Sequence, residues 1–170
     1  MQLHVCRLAL IFKMDVIASM TKEAKAAGNR PGPETTEVWI GLMRARERVL
    51  ARIEADFKAA ALPPLGWYDV LWELVQAEDG RLRPYEIEAR TLLAQYNLSR
   101  LIDRLAKEGL VRREAFDADG RGQWVVITEA GRAMRERMWL TYGPSIDAHV
   151  GERLSEDEAR QLAALLAKLR

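Results

Sequence analysis

Apolar spacing changes period twice within one short stretch, and this double change constrains the fold more than any other feature. Up to Gly109 apolar residues recur at helical steps; Leu110 to Phe116 and Gln123 to Thr128 alternate instead, and from Glu129 the helical step returns. Between the alternating runs, Asp117 to Gly122 contains Asp119-Gly120, a pair suited to a tight hairpin turn. Helices on both sides of one hairpin predict a mainly α fold with a small β-hairpin.

The helical stretches divide cleanly. Trp39, Leu42, Met43, Val49, Leu50, Ile53 and Phe57 form one apolar stripe, predicting a long helix over about 36–60 that Leu62 to Gly66 ends with two prolines. Val70, Leu71, Leu74 and Val75 form a second stripe between Trp67 and Gln76, closed by Asp79-Gly80. Pro84 opens a short third helix, where its missing N–H costs nothing. A fourth helix is expected from about Ala94 to Lys107, stopping at Gly109 in a left-handed cap. Beyond the hairpin, Thr128 caps a long helix carrying Ala133, Met134, Met138 and Trp139, which Gly143-Pro144 is expected to kink or interrupt. Ser155 to Glu158 reads as a capping box after apolar Leu154, so a last helix starts at Glu156 with Leu162, Leu165, Leu166 and Leu169 on its apolar face. Residues 1–33 form a separate N-terminal extension with helical spacing. Two readings stay open: a frayed leader ahead of a later start at Met14 or Met20, or an extra helix that packs on a partner subunit.

Composition removes several function classes. The 170 residues amount to about one domain. Lys and Arg total 26 against 25 Asp and Glu, so binding to a polyanion has to come from local clustering. A single cysteine, Cys6, excludes an internal disulfide and a cysteine zinc site, and His4 and His149 are far apart, so no metal or cofactor is expected. Cys6 lies in an apolar stretch and reads as an inert thiol rather than a peroxide sensor. Leu8 to Phe12 is far shorter than the roughly 20 apolar residues of a membrane span, and no clear signal peptide precedes it. A cytoplasmic location without membrane contact follows. With no nucleophile–base pair, phosphate loop or metal cluster, an enzyme is not expected.

Helix, short helix, helix, hairpin is the order of a winged helix-turn-helix. On the fourth helix Leu98, Leu101, Ile102 and Leu105 share one arc of about 100°, while Asn97, Arg100, Arg104 and Lys107 share an opposite arc of about 80°, with Tyr96 beside them. Such a helix buries one side and offers guanidinium and amide groups to a major groove, Arg for guanine and Gln95 or Asn97 for adenine. Arg121, between two glycines, puts a thin cationic tip where a minor groove admits it. From Gly80 to Gly122 nine basic residues stand against seven acids, a small excess placed on the expected DNA face. Asp103 and Glu108 favour the alternative of an ordinary solvated face.

In these residues the chain resembles the MarR family of transcriptional regulators. The resemblance rests on Leu62 to Leu71, Asn97 to Leu105 with Gly109 to Arg113, and Asp119 to Arg121 with Ile127 to Gly131, and with flanking helices it covers about 34–170. It implies a homodimer on double-stranded DNA, with a winged module over 62–128 and dimerisation helices over 34–61 and 129–170. It implies DNA contacts from Gln95, Tyr96, Asn97, Ser99, Arg100 and Arg104, a minor-groove role for Arg121, and Asp119 holding the wing against recognition-helix arginines. The short turn departs from family wings that carry further arginines, which weakens the expected wing contacts. A symmetric dimer predicts a pseudo-palindromic operator with half-sites about one helical turn apart. The two amphipathic outer helices also favour pairing on physical grounds, because one small winged core does not cover both stripes.

The family's small-molecule crevice implies an aromatic or phenolic effector, for which Trp39, Met43, Arg46, Trp67, Tyr68, Asp69, Trp72, Trp139 and Tyr142 are candidates. Five Trp make such a site affordable in composition, although a ring on a helical stripe is more often core. The extension is similar to that of the urate-responsive branch, with Asp69, Arg100 and Arg113 in similar places but no Trp within residues 1–33. The expected function is a ligand-released repressor; the alternatives are a winged-helix protein-interaction module, or an activator without small-molecule sensing.

Overall fold

The computed structural model describes residues 30–91, 95–116 and 122–169, with Gln95, Tyr96 and Phe116 described by backbone alone. Of the N-terminal extension expected over 1–33, residues 1–29 with Cys6 lie outside the described residues, as do Asp119 and Arg121. The chain divides into two compact units, Met1–Arg48 and Val49–Arg170.

Six α-helices and three strands follow in order among the described residues: α1 Pro33–Ala59, α2 Leu65–Gln76, β1 Arg81–Leu82, α3 Pro84–Arg90, α4 Gln95–Lys107, β2 Val111–Phe116, β3 Gly122–Ile127, α5 Glu129–His149 and α6 Glu156–Ala167. Helix α1 begins before the expected position because Pro33 fits a first helical turn. It ends with Leu62 N–H donating to the Phe57 carbonyl at 2.9 Å and Ala61 at φ 52°, a left-handed cap made without glycine. Helix α4 ends in the same way with the expected glycine: Gly109 has φ 70° and Leu110 N–H reaches the Leu105 carbonyl at 2.9 Å.

The hairpin is one strand richer than its sequence suggests. The two-residue β1 joins it, giving the antiparallel order β1-β3-β2. Val126 on the central strand pairs with Arg81 on one side and Arg112 on the other, and Arg113 pairs with Val125. One face of the sheet therefore presents Val111, Leu82, Val125 and Ile127 to the core, where they meet Val70, Leu71, Leu74, Ile87, Leu98, Ile102, Leu105 and Leu110. A second cluster of Ile53, Phe57, Leu65, Tyr68 and Met138 lies between the end of α1, α2 and α5, with Trp67 packing against both.

The expected interruption of α5 at Gly143-Pro144 does not occur. The helix runs through Pro144 to His149, because tertiary bonds hold the turn beyond the proline: Ser145 Oγ donates to Asp56 Oδ2 at 2.7 Å, and His149 Nε2 lies 2.7 Å from the same oxygen. These bonds hold Asp56 below its ordinary carboxylate value, the Ser145 hydroxyl contributing most. At its start Thr128 caps α5, accepting from Gly131 N–H at 3.1 Å and donating to the carbonyls of Gly109 and Leu110. The capping box of α6 forms as read, with Glu158 bonded to the Ser155 backbone and hydroxyl.

Candidate nucleic-acid interface

Helix α4 separates its residues by solvent exposure. Leu98, Ile102 and Leu105 are buried, whereas Asn97, Ser99, Arg100 and Arg104 are exposed. The helix forms because its apolar residues fall at steps of three and four, and it is held by Leu98, Ile102 and Leu105 against α2, α3 and the sheet. Gln95 and Tyr96 occupy its first turn.

Intramolecular partners already hold part of the surrounding positive charge. Arg81 pairs with Asp79 at 3.1 Å and Arg112 with Glu114 at 2.6 Å. Arg113 bonds both Asp103 and Gln123. On the outer face of the sheet the guanidinium groups of Arg81 and Arg83 lie over the Trp124 ring at 4.9 and 5.1 Å. Neither Asp103 nor Gln123 was singled out as a site residue from sequence; the signal available was an acid on a basic helix, ten positions before an arginine on β2.

The candidate effector residues separate into two groups. Trp39, Met43 and Arg46 belong to the first unit, on α1, and all three are exposed. Tyr68, Trp72, Trp139 and Tyr142 come together between α2 and α5. Tyr68 stacks on Trp72 at 6.2 Å and on Trp139 at 6.0 Å, and meets the edge of Tyr142 at 4.9 Å. Arg135, absent from the sequence candidates, lays its guanidinium over Trp72 at 4.6 Å and Tyr68 at 5.8 Å. Its Nε is buried without a hydrogen-bond partner. The spacing Arg135, Trp139, Tyr142 places these three on one helical face, which would have revealed it.

Electrostatics around this cluster are unusual. Burial, reinforced by Glu54 and Glu73, pushes the Asp69 carboxyl up to about 6. Burial also raises the Tyr68 and Tyr142 hydroxyls. Two open clefts lie elsewhere: one of about 470 Å³ beside Glu54, Phe57, Lys58 and Leu62, and one of about 350 Å³ beside Leu62, Arg137 and Leu140. None of the nine effector candidates lines either. Among the described residues no group of three or more His, Cys, Asp or Glu is placed to hold a metal, and no helix is long and apolar enough to cross a membrane.

A buried-and-exposed helix set against a three-stranded wing defines a winged-helix protein. Residues 62–122 match the model of the MarR family. The HTH-type transcriptional repressor YetL of Bacillus subtilis strain 168 is 30% identical over 133 residues, covering 78% of this chain and 78% of that protein. Among solved structures, Sco3205, a MarR family transcriptional regulator from Streptomyces coelicolor in complex with DNA, aligns with a TM-score of 0.73 at 24% identity, covering 83% of this chain and 88% of that one. BpsR of Bordetella bronchiseptica, whose DNA binding is regulated by 6-hydroxynicotinic acid, aligns with a TM-score of 0.69 at 25% identity, covering 78% and 98%. The chain belongs to the MarR family and is a DNA-binding transcription regulator.

Proposed function

We propose that the protein is a homodimeric repressor that binds a pseudo-palindromic operator and leaves it when a small aromatic ligand binds. The observation that carries this reading is the division of α4 into buried Leu98, Ile102 and Leu105 and exposed Asn97, Ser99, Arg100 and Arg104. In this reading Arg100 and Arg104 with Gln95, Tyr96, Asn97 and Ser99 enter the major groove, Arg121 enters the adjacent minor groove, and Asp119 steadies the wing. Residues 62–128 are the winged module, and the helices over 34–61 and 129–170 pair two copies. Exposed Val38, Trp39 and Met43 on α1, and exposed Leu162, Leu165 and Leu169 on α6, supply apolar surface for that pairing. YetL, a repressor by name, favours repression. The protein works in the cytoplasm, has no enzymatic activity and needs no cofactor.

The effector binds at Tyr68, Trp72, Trp139 and Tyr142, with Trp67 and Asp69 beside them. Because these rings already stack on one another, a flat aromatic acid enters by exchanging a ring contact and supplying an acceptor to Arg135. The precedent of BpsR and 6-hydroxynicotinic acid supports that class.

A fluorescence-anisotropy titration against the duplex upstream of the protein's own gene tests the reading. Binding is expected to weaken steeply with salt and to fall in Arg100→Ala and Arg121→Ala. Added 6-hydroxynicotinic acid or a related hydroxylated aromatic acid is expected to release the duplex. Binding unchanged in both arginine variants rejects the site.

A further inference from the structure

Asp103 is out of place on a helix that approaches phosphates. It lies beside Arg100 and Arg104 around the helix axis, where a carboxylate repels a polyanion. Its partners give it a different task. Asp103 Oδ1 accepts from Arg113 Nη2 at 2.5 Å, and Arg113 Nη1 donates to Gln123 Oε1 at 2.9 Å. One guanidinium thus ties α4 to both strands of the hairpin.

The position of this tie along the hairpin matters. The base of the sheet is held by burial of Val111, Val125 and Ile127. Arg113 pairs with Val125, and Gln123 lies two residues nearer the turn. A two-stranded ribbon twists and bends easily by itself. A polar strap beyond the apolar base therefore narrows the angles available to the strands at Arg113 and Gln123. The Arg113 side chain is 33% exposed and that of Asp103 66%, so the pair adds little to folding stability.

We propose that Asp103 is a positioning residue for DNA recognition: acting through Arg113, it fixes the wing relative to α4, so that major-groove reading and minor-groove insertion occur in one register. This rests on the DNA-reading role proposed above for α4 and the wing. It also removes Arg113 from the set of phosphate contacts, since both ends of its guanidinium are engaged.

The test starts from duplexes that the wild-type protein selects from a random-sequence library. Affinity for the selected duplex is divided by affinity for a scrambled one, for wild type, Asp103→Asn, Arg113→Gln and the exchanged pair Asp103→Arg with Arg113→Asp. Each single variant is expected to lower that ratio about threefold per half-site, hence about tenfold over a symmetric duplex, the scale of a partly exposed ion pair. Selection repeated with Asp103→Asn is expected to lose preference at the outer, wing-contacted positions and to keep it at the central ones. The exchanged pair is expected to recover the ratio. If Arg113→Gln does not fold, Asp103→Asn carries the comparison alone. An unchanged ratio, a loss spread evenly over all positions, or no recovery in the exchanged pair overturns the strap. Failure of the wild type to select any sequence overturns the DNA-reading proposal as well.

Discussion

The carbonyl oxygen of Leu110 occupies the space where a side chain on Gly131 would begin: a Cβ there would stand 2.1 Å from it. The residue that leads into β2 and the first turn of α5 approach this closely because Thr128 caps the helix while bonding the same Leu110 carbonyl. Gly131→Ala is therefore expected to force backbone apart and to cost about 1–3 kcal/mol. Urea denaturation checks it, and an unchanged midpoint would show that the junction can relax.

Ala61 holds a left-handed conformation at the end of α1, where glycine suffers no Cβ penalty. Ala61→Gly is expected to stabilise the protein by about 0.5–1 kcal/mol, the relieved backbone strain exceeding the extra freedom given to the unfolded chain. Thermal melting is the readout; a lower melting temperature contradicts the assignment.

Asp69 gives a pH dependence of definite sign. Its folded value of about 6 is above the ordinary 3.8, so the folded protein holds this proton more tightly than the unfolded chain. The associated stability is fully present below the unfolded value and is lost as pH rises through 6. Asp69→Asn, which has no such proton, is expected to gain on wild type as pH is raised from 4.5 to 7.5. Parallel denaturation midpoints across that range would rule out the burial of Asp69 as its cause.

Leu165 on α6 is 58% exposed. If two copies pair through this helix, Leu165→Glu places a charge in the interface of each and weakens association by at least about tenfold. Sedimentation velocity at micromolar concentration reads the shift toward monomer, while an identical profile moves the interface elsewhere.

Most of the helices were legible because their apolar residues repeat with a period that only one conformation satisfies. Gly109, Thr128 and the Ser155–Glu158 box marked ends that the structure reproduces. Strand β1 was not legible: two residues have no period, and Arg81 and Leu82 become a strand only because β3 offers them partners. The continuity of α5 was misread because Pro144 is a local signal, and the bonds from Ser145 and His149 to Asp56 cross 89 and 93 positions of sequence. At the site, exposure along α4 followed from periodicity, but the Asp103–Arg113–Gln123 tie depends on strand register, which spacing alone does not supply. Arg135 was not legible as a partner of the rings, because an arginine on a helix reads as solvated surface until Trp72 of another helix is placed beneath it.

Val126 joins Arg81 on one side and Arg112 on the other, so the chain leaves the sheet before α3 and returns after α4 at the same rung. Helices α3 and α4 thus form one excursion that starts and ends at a single rung of the sheet. On the role proposed for α4, the segment of another family member that matches residues 83–110, grafted between those two pairings, is expected to bring its own DNA preference without re-threading the scaffold.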